Sequence, residues 1–174
     1  FLSITGPEVH MAVQENHLGT AHALAESRDF VGDDKRIIVG LGDMPLITHD
    51  TVKLLNKAAM SNSAMTLLTT TGIPKNGLGR IVRDENGAIT RIVEEADAGD
   101  DLLALEEVNS GWYKFEAKWL WNALPRVKPS TNGELYLTDL AARASSEQLI
   151  DAVSAPNPEE IFGVNDRIQL SNAE

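Results

Sequence analysis

The chain has 174 residues, 43% of them hydrophobic, with 26 acidic against 15 basic side chains and a formal charge of −11. That length supports one well-buried core rather than two full domains, and the acidic balance repels a nucleic-acid backbone over most of the surface. No apolar run approaches the roughly 20 residues that cross a bilayer, and a chain without cysteine has no disulfide framework or thiolate metal site, so a soluble cytoplasmic protein with no membrane partner is expected.

The chain opens at Phe1-Leu2-Ser3-Ile4-Thr5-Gly6, with neither an initiator methionine nor the charged flank of a signal peptide, and is expected to be a piece of a longer domain. Val9 to Gln14 alternates like a strand, Leu18-Gly19-Thr20 turns, and the alanine-rich stretch from Ala21 to Ser27 reads as a helix. Arg36 to Leu41 is a β-branched run ending at Gly42-Asp43, and Thr48 is placed to cap a helix through Val52, Leu55 and Ala59. The next strand runs from Ala64 to Thr70. Strands alternating with helices in this way predict an α/β fold: a mostly parallel sheet with helices on both faces.

The middle of the chain changes character. Arg80 to Asp84, a turn at Glu85-Asn86-Gly87, and Ala88 to Val93 predict an antiparallel hairpin inserted into that pattern. Glu106 to Phe115 reads as a strand, Ala117 to Leu124 as a helix closed by Pro125, Leu137 to Ser145 as a helix, Gln148 to Val153 as a strand, and Asn165 to the end as a last helix. No repeat or linker divides the chain, so residues 1–174 are expected to be one partial domain.

Open α/β sheets bind ligands beyond the carboxyl ends of their strands, which singles out Gly42-Asp43. A carboxylate there can hold magnesium beside substrate phosphates, or simply turn the strand end. The four histidines show no ligand spacing. Trp112, Trp119 and Trp121 cluster on or near one helix as packing residues, and no Gly-x-Ser-x-Gly elbow supports a serine hydrolase.

The ordered set Gln14, Leu18-Gly19-Thr20, Gly42-Asp43-Met44-Pro45-Leu46-Ile47, Gly79-Arg80-Ile81, Ile92-Val93-Glu94, Glu107-Val108-Asn109-Ser110-Gly111, Gly133 to Asp139 and Gly163-Val164-Asn165-Asp166-Arg167 resembles the bacterial bifunctional N-acetylglucosamine-1-phosphate uridyltransferases over nearly the whole chain. The resemblance implies a Rossmann-like nucleotide-diphospho-sugar transferase fold. It implies a uridine site at Gln14, Gly19 and Thr20, sugar contacts at Gly79, Glu94 and Asn109, and Mg2+ held by Asp43 and Asn165, with Gly42 among the substrate-binding positions. The residue chemistry is compatible: an amide and a hydroxyl can pair with uracil's edge, while a carboxylate and an amide suit sugar hydroxyls. Each of these residues also has a plainer role in a turn, cap or strand end, Asn165 as the N-cap of the last helix among them.

The implied partners are UTP, N-acetylglucosamine-1-phosphate and UDP-N-acetylglucosamine; the alternatives are a related transferase of other specificity or a non-catalytic UDP-sugar-binding fragment. The family's glycine-rich phosphate loop would precede Phe1. Ala96 stands where the family commonly has a lysine, and Leu41 where an aromatic is frequent. A central strand supplied by that preceding segment would leave an unpaired sheet edge, through which the chain could self-associate.

Overall fold

The computed structural model describes residues 9–33, 36–58, 62–75 and 77–173. Its six strands, β1 (Arg36–Val39), β2 (Met65–Thr70), β3 (Arg80–Arg83), β4 (Ile89–Val93), β5 (Val108–Glu116) and β6 (Ile150–Ser154), form one sheet in the order β4-β3-β5-β2-β6, with β1 also on β5. The two partners on that side divide β5 between them: β3 meets its start at Val108, and β1 pairs with Tyr113 to Glu116.

The sheet is mixed rather than mostly parallel. β1, β2 and β6 point the same way, but β5 runs against them between β1 and β2, and β2–β6 is the one parallel pairing among the described residues. The cause lies in the inserted hairpin, which brings the chain back to the sheet from the opposite end. A crossover helix would instead have delivered β5 parallel.

β5 also carries an irregularity that shapes the site. Its register against β2 jumps from Tyr113↔Leu67 to Asn109↔Thr69, so three β5 residues, Ser110 to Trp112, oppose Leu68 alone. Gly111 at φ 79° absorbs the bend, a conformation that side-chain-bearing residues disfavour.

Alternate residues of β2 feed two cores. Met65 and Leu67 pack with Phe115 and with the buried residues of α4 (Ala117–Ala123) and α5 (Leu140–Ser146), whereas Leu68 packs with Leu55 of α2 (His49–Lys57), Met44 and Ile161. Helices therefore cover both faces, as the pattern predicts. Caps fix their starts: Thr48 accepts from Thr51 N at 3.2 Å, and Glu116 from Trp119 N at 2.7 Å. Trp119 and Trp121 lie on α4, while Trp112 lies on β5 against Gly40.

Several boundaries differ from the sequence reading. Residues 9–14 form no strand, because the alternating Val9, Met11 and Val13 meet no partner strand and stay 40%, 48% and 68% exposed. The helix expected over 21–27 is α1 (Thr20–Ala25), running into a 3-10 turn at Arg28–Phe30. Gln148 sits at φ 57° in a turn, which delays β6 to Ile150. The last helix, α6, is Arg167–Ala173. A four-residue helix, α3 (Asp100–Leu103), has no counterpart in the sequence reading because its acidic stretch carries too little apolar periodicity. The expected start Phe1-Leu2-Ser3-Ile4-Thr5-Gly6 and Ala59 lie outside the described residues.

Candidate active site

Two adjoining cavities open beyond the carboxyl end of β1. The larger, about 350 Å³, is lined by Thr20, Gly79, Glu94, Asn109, Tyr113 and Thr138 among others. The smaller, about 280 Å³, takes in Asp43, Pro74, Gly163, Asn165 and Gln169. Leu41, Gly77, Leu78 and Ser110 belong to both. A ligand with two unlike ends could span them.

The larger cavity is built from strand ends and is closely braced. Asn109 N donates to Gly79 O at 2.8 Å, which ties β5 to the loop before β3. A methyl group on Gly79 would come within 2.9 Å of Ile92 Cγ2 and 3.3 Å of Glu94 Oε2, so the close approach requires glycine. Asn109 is 6% exposed; its Nδ2 donates to the Tyr113 hydroxyl at 2.6 Å and its Oδ1 accepts from Gly111 N at 3.3 Å. Glu94 Oε1 accepts from Thr138 Oγ1 at 2.6 Å. Burial pushes the Glu94 carboxyl above its ordinary range and the Thr138 bond opposes this, while Asp139, Asp97 and Glu134 push the same way as burial. Glu94, Asn109 and Gly79 thus present an acceptor, a two-way amide and exposed backbone to one space.

Of the expected uridine set, Thr20 alone lines the larger cavity. Gln14 and Gly19 stand behind it. Gln14 Nε2 donates to Gly19 O at 3.1 Å and to His22 Nδ1 at 2.9 Å, clamping the turn that starts α1. Gly19, at φ 109°, lies under the Leu135 backbone, where an added Cβ would meet Leu135 O at 2.6 Å. The Thr20 hydroxyl accepts from Leu137 N at 2.9 Å, so the turn and the 135–138 segment are locked together. Gly42 lines neither cavity; it is exposed, and an added Cβ would meet nothing.

Asp43 and Asn165, 122 positions apart in the chain numbering, meet beside Gly163. A Cβ built on that glycine lies 3.5 Å from Asn165 Nδ2 and 3.7 Å from Asp43 Oδ2, and Val164 N donates to Asp43 O at 2.8 Å. Both side chains are exposed, and neither has a side-chain hydrogen bond to another described residue. Asn165 is not the cap of α6. Asp166 takes that place: its Oδ1 accepts from Gln169 N at 2.7 Å while Gln169 Oε1 accepts from Asp166 N at 3.2 Å and Asn165 N at 2.6 Å, a reciprocal capping box. The Asn165 amide is left free to turn its oxygen outward. A free carboxylate and a free amide oxygen suit a hard cation whose other ligands are phosphate and water. No group of three or more His, Cys, Asp or Glu residues able to hold a metal exists among the described residues.

Five supporting residues escaped the sequence reading as individuals. Arg80, 3% exposed, donates to the backbone oxygens of Lys75, Leu78 and Leu103 and stands 3.7 Å from Glu95 Oε1, while Glu95 Oε2 accepts from Gly77 N at 2.6 Å. Together they fix the loop that lines both cavities. Glu160, 8% exposed, accepts from Thr48 N and Thr48 Oγ1, each at 3.0 Å; this ties the turn Pro158–Ile161 to the point where the loop carrying Asp43 enters α2. Tyr113 and Thr138 complete the larger cavity. Only Arg80 and Thr138 had a signal in sequence, as members of the quoted motifs. Leu41 fills the space over Gly111, and Ala96 is exposed in the 3-10 turn Glu95–Asp97.

Residues 3–155 match the nucleotidyl transferase family. The chain belongs to that family. Among its relatives are proteins named bifunctional protein GlmU: that of Corynebacterium efficiens is 44% identical over 172 residues, covering 97% of this chain and 35% of the relative, and that of Alcanivorax borkumensis is 40% identical, covering 99% and 38%. The chain therefore spans a little over a third of the length of these curated relatives. A solved Bacillus anthracis structure described as a glucose-1-phosphate thymidylyltransferase in complex with a sucrose shares the fold, at a TM-score of 0.68, 21% identity, and coverage of 91% of this chain and 61% of that one. No helix among the described residues is long and apolar enough to cross a membrane.

Proposed function

We propose that residues 1–174 are part of a cytoplasmic uridylyltransferase domain that joins UTP to N-acetylglucosamine-1-phosphate, forming UDP-N-acetylglucosamine and pyrophosphate. The observation that carries the reading is the pairing of the two cavities: Asp43 and Asn165 converge beside Gly163, next to a space that gathers Gly79, Glu94 and Asn109. The GlmU relatives, aligned over nearly the whole chain, favour this substrate pair over other sugar phosphates.

In the reaction, a phosphate oxygen of the sugar-1-phosphate attacks the α-phosphorus of UTP and pyrophosphate leaves. Glu94 and Asn109 hold the sugar, with the Glu94 carboxylate accepting from a hydroxyl and the Asn109 amide both donating and accepting. Thr20 faces the nucleotide at the cavity mouth, and Gln14 and Gly19 hold its turn in place. Asp43 and Asn165 would hold Mg2+ where the two cavities bring phosphates together; the ion, when bound, neutralises charge on the transferring phosphoryl group. No side chain of this site is required as a nucleophile, so positioning and charge stabilisation carry the rate.

Calorimetric titration with UDP-N-acetylglucosamine, with and without Mg2+, tests the reading. Saturable binding that Mg2+ strengthens is the expected result; absence of binding rejects the sugar-nucleotide site. The edge of β1 away from β5 pairs with no described strand, and we assign it to self-association, which sedimentation across a concentration series would detect.

A further inference from the structure

One buried polar group of the larger cavity belongs to no motif. Tyr113, 4% exposed, lines the cavity from β5, with its ring 5.8 Å from Phe115. Its hydroxyl oxygen accepts from Asn109 Nδ2, and among the described residues nothing accepts the hydroxyl proton. Burial raises the phenol's pKa further above its usual value, so the group stays a neutral donor at physiological pH. A buried donor with one bond made and one unmade is costly unless a ligand completes it.

The other groups of the cavity define what is missing. Glu94 can only accept, and Thr138 gives its proton to Glu94. Asn109 retains one N–H and one lone pair after its bonds to Tyr113 and Gly111, which suits a hydroxyl that both donates and accepts. An acceptor-only oxygen needs a dedicated donor. Thr20 stands exposed at the mouth, and Ser110 lies where the two cavities meet. Tyr113 is buried, paired with Val39 across the β1–β5 register and in one apolar cluster with Val39 and Leu137. Resting on the sugar reading above, we infer that Tyr113 is the specificity donor of this cavity, giving its proton to the carbonyl of a 2-acylamino sugar whose acyl methyl packs on Val39 and Leu137.

Two UDP-sugars that differ at the 2-position, UDP-N-acetylglucosamine and UDP-glucose, separate this role from a structural one. Calorimetry on Tyr113→Phe should show roughly tenfold weaker binding of the first and about threefold or less for the second. Loosening of Asn109 in the variant would weaken both sugars alike, so the difference isolates the donor. A second readout needs no change in packing: the chain has two tyrosines, Tyr113 and Tyr136, and with both replaced by 3-fluorotyrosine the fluorine resonance of Tyr113, assigned with Tyr136→Phe, should move with UDP-N-acetylglucosamine and far less with UDP-glucose. Equal losses for the two sugars, or a resonance that neither moves, overturns the role of Tyr113 while the site stands. A wild-type chain that binds neither sugar overturns the site and this inference together.

Discussion

The two cavities share a wall of four residues but are built on opposite terms. The larger is made of strand ends whose polar groups are already hydrogen-bonded to one another: Asn109 to Gly79, Gly111 and Tyr113, and Glu94 to Thr138. The smaller presents Asp43 and Asn165, exposed on loops and free of side-chain bonds to described residues. The difference follows from the ligands proposed for them. A sugar is told from its isomers by fixed donors and acceptors, which need a rigid scaffold. A hydrated cation arriving with phosphates asks only for oxygen atoms free to adjust. Function and stability should therefore be separable in the smaller cavity and inseparable in the larger.

The largest effect should come from Asp43→Ala. Mg2+-dependent turnover is expected to fall roughly 10³-fold or more, since the ion's charge stabilisation is worth several kcal/mol. Unfolding free energy should move by no more than about 0.5 kcal/mol, because the side chain is exposed and supports nothing. Turnover assays beside denaturant melts check both halves; near-normal activity removes the metal assignment, and a large loss of stability breaks the contrast between the cavities.

Asn109→Ala should behave in the opposite way. It removes a sugar contact and also strips the buried Tyr113 hydroxyl of its partner, so affinity for N-acetylglucosamine-1-phosphate and fold stability should each fall by about 1–3 kcal/mol. The apparent constant for UTP should change less. A rise in the UTP constant with the sugar phosphate unaffected would show the site to be mapped wrongly.

Glu160→Gln tests whether the open cavity's loop has a rigid anchor of its own. Burial opposes ionisation of Glu160, but hydrogen bonds from Thr51 and from the Thr48 backbone and hydroxyl outweigh it and hold the carboxyl below its ordinary 4.5. A depressed folded pKa contributes stability that is present above the unfolded value and is lost as pH falls through the folded one. The variant should lose on the order of 1 kcal/mol at neutral pH and show a flatter acid limb in thermal melts, with Mg2+ affinity nearly unchanged.

How much of this was legible in the sequence depended on whether the cause was local. Thr48 as a cap, the Glu85-Asn86-Gly87 turn and the buried run at 65–70 announce themselves, because propensity and periodicity act over a few residues. The alternation of Val9, Met11 and Val13 looks equally local, but a strand needs a partner, and none of the described residues supplies one. The direction of β5 is set by where the hairpin returns the chain, which no window on the sequence contains. In the site, the motif residues were nameable but their division of labour was not. Gln14 and Gly19 act behind Thr20 rather than beside it in the cavity. Asn165 is free because Asp166 and Gln169 cap α6. Tyr113 owes its place next to Asn109 to a bulge that only the register of β5 against β2 reveals.

The smallest effect should be the pH dependence of Glu94, and it bears most directly on the closed cavity. Burial, together with Asp139, Asp97 and Glu134, raises the carboxyl's pKa above its ordinary 4.5 in the folded chain, against the pull of the Thr138 hydroxyl. A raised folded pKa contributes stability that is complete below the unfolded value and is lost as pH climbs through the folded one, so at neutral pH the ionised Glu94 is a mild burden on the fold. Glu94→Gln keeps an oxygen to accept from Thr138 and removes the charge, and should raise stability at neutral pH by up to about 1 kcal/mol. Sugar binding should respond in the opposite sense, since the ionised carboxylate is the stronger acceptor for a hydroxyl. In the wild-type chain, affinity for UDP-N-acetylglucosamine should begin to fall on acidification at a pH above 4.5, and in Glu94→Gln it should be weaker throughout and lose that acid limb. Titrations at steps between about pH 5 and 8, a range that spans ordinary carboxyl and histidine values, decide the matter: a wild-type acid limb that persists unchanged in Glu94→Gln would assign it to another group and remove Glu94 from the sugar's contacts.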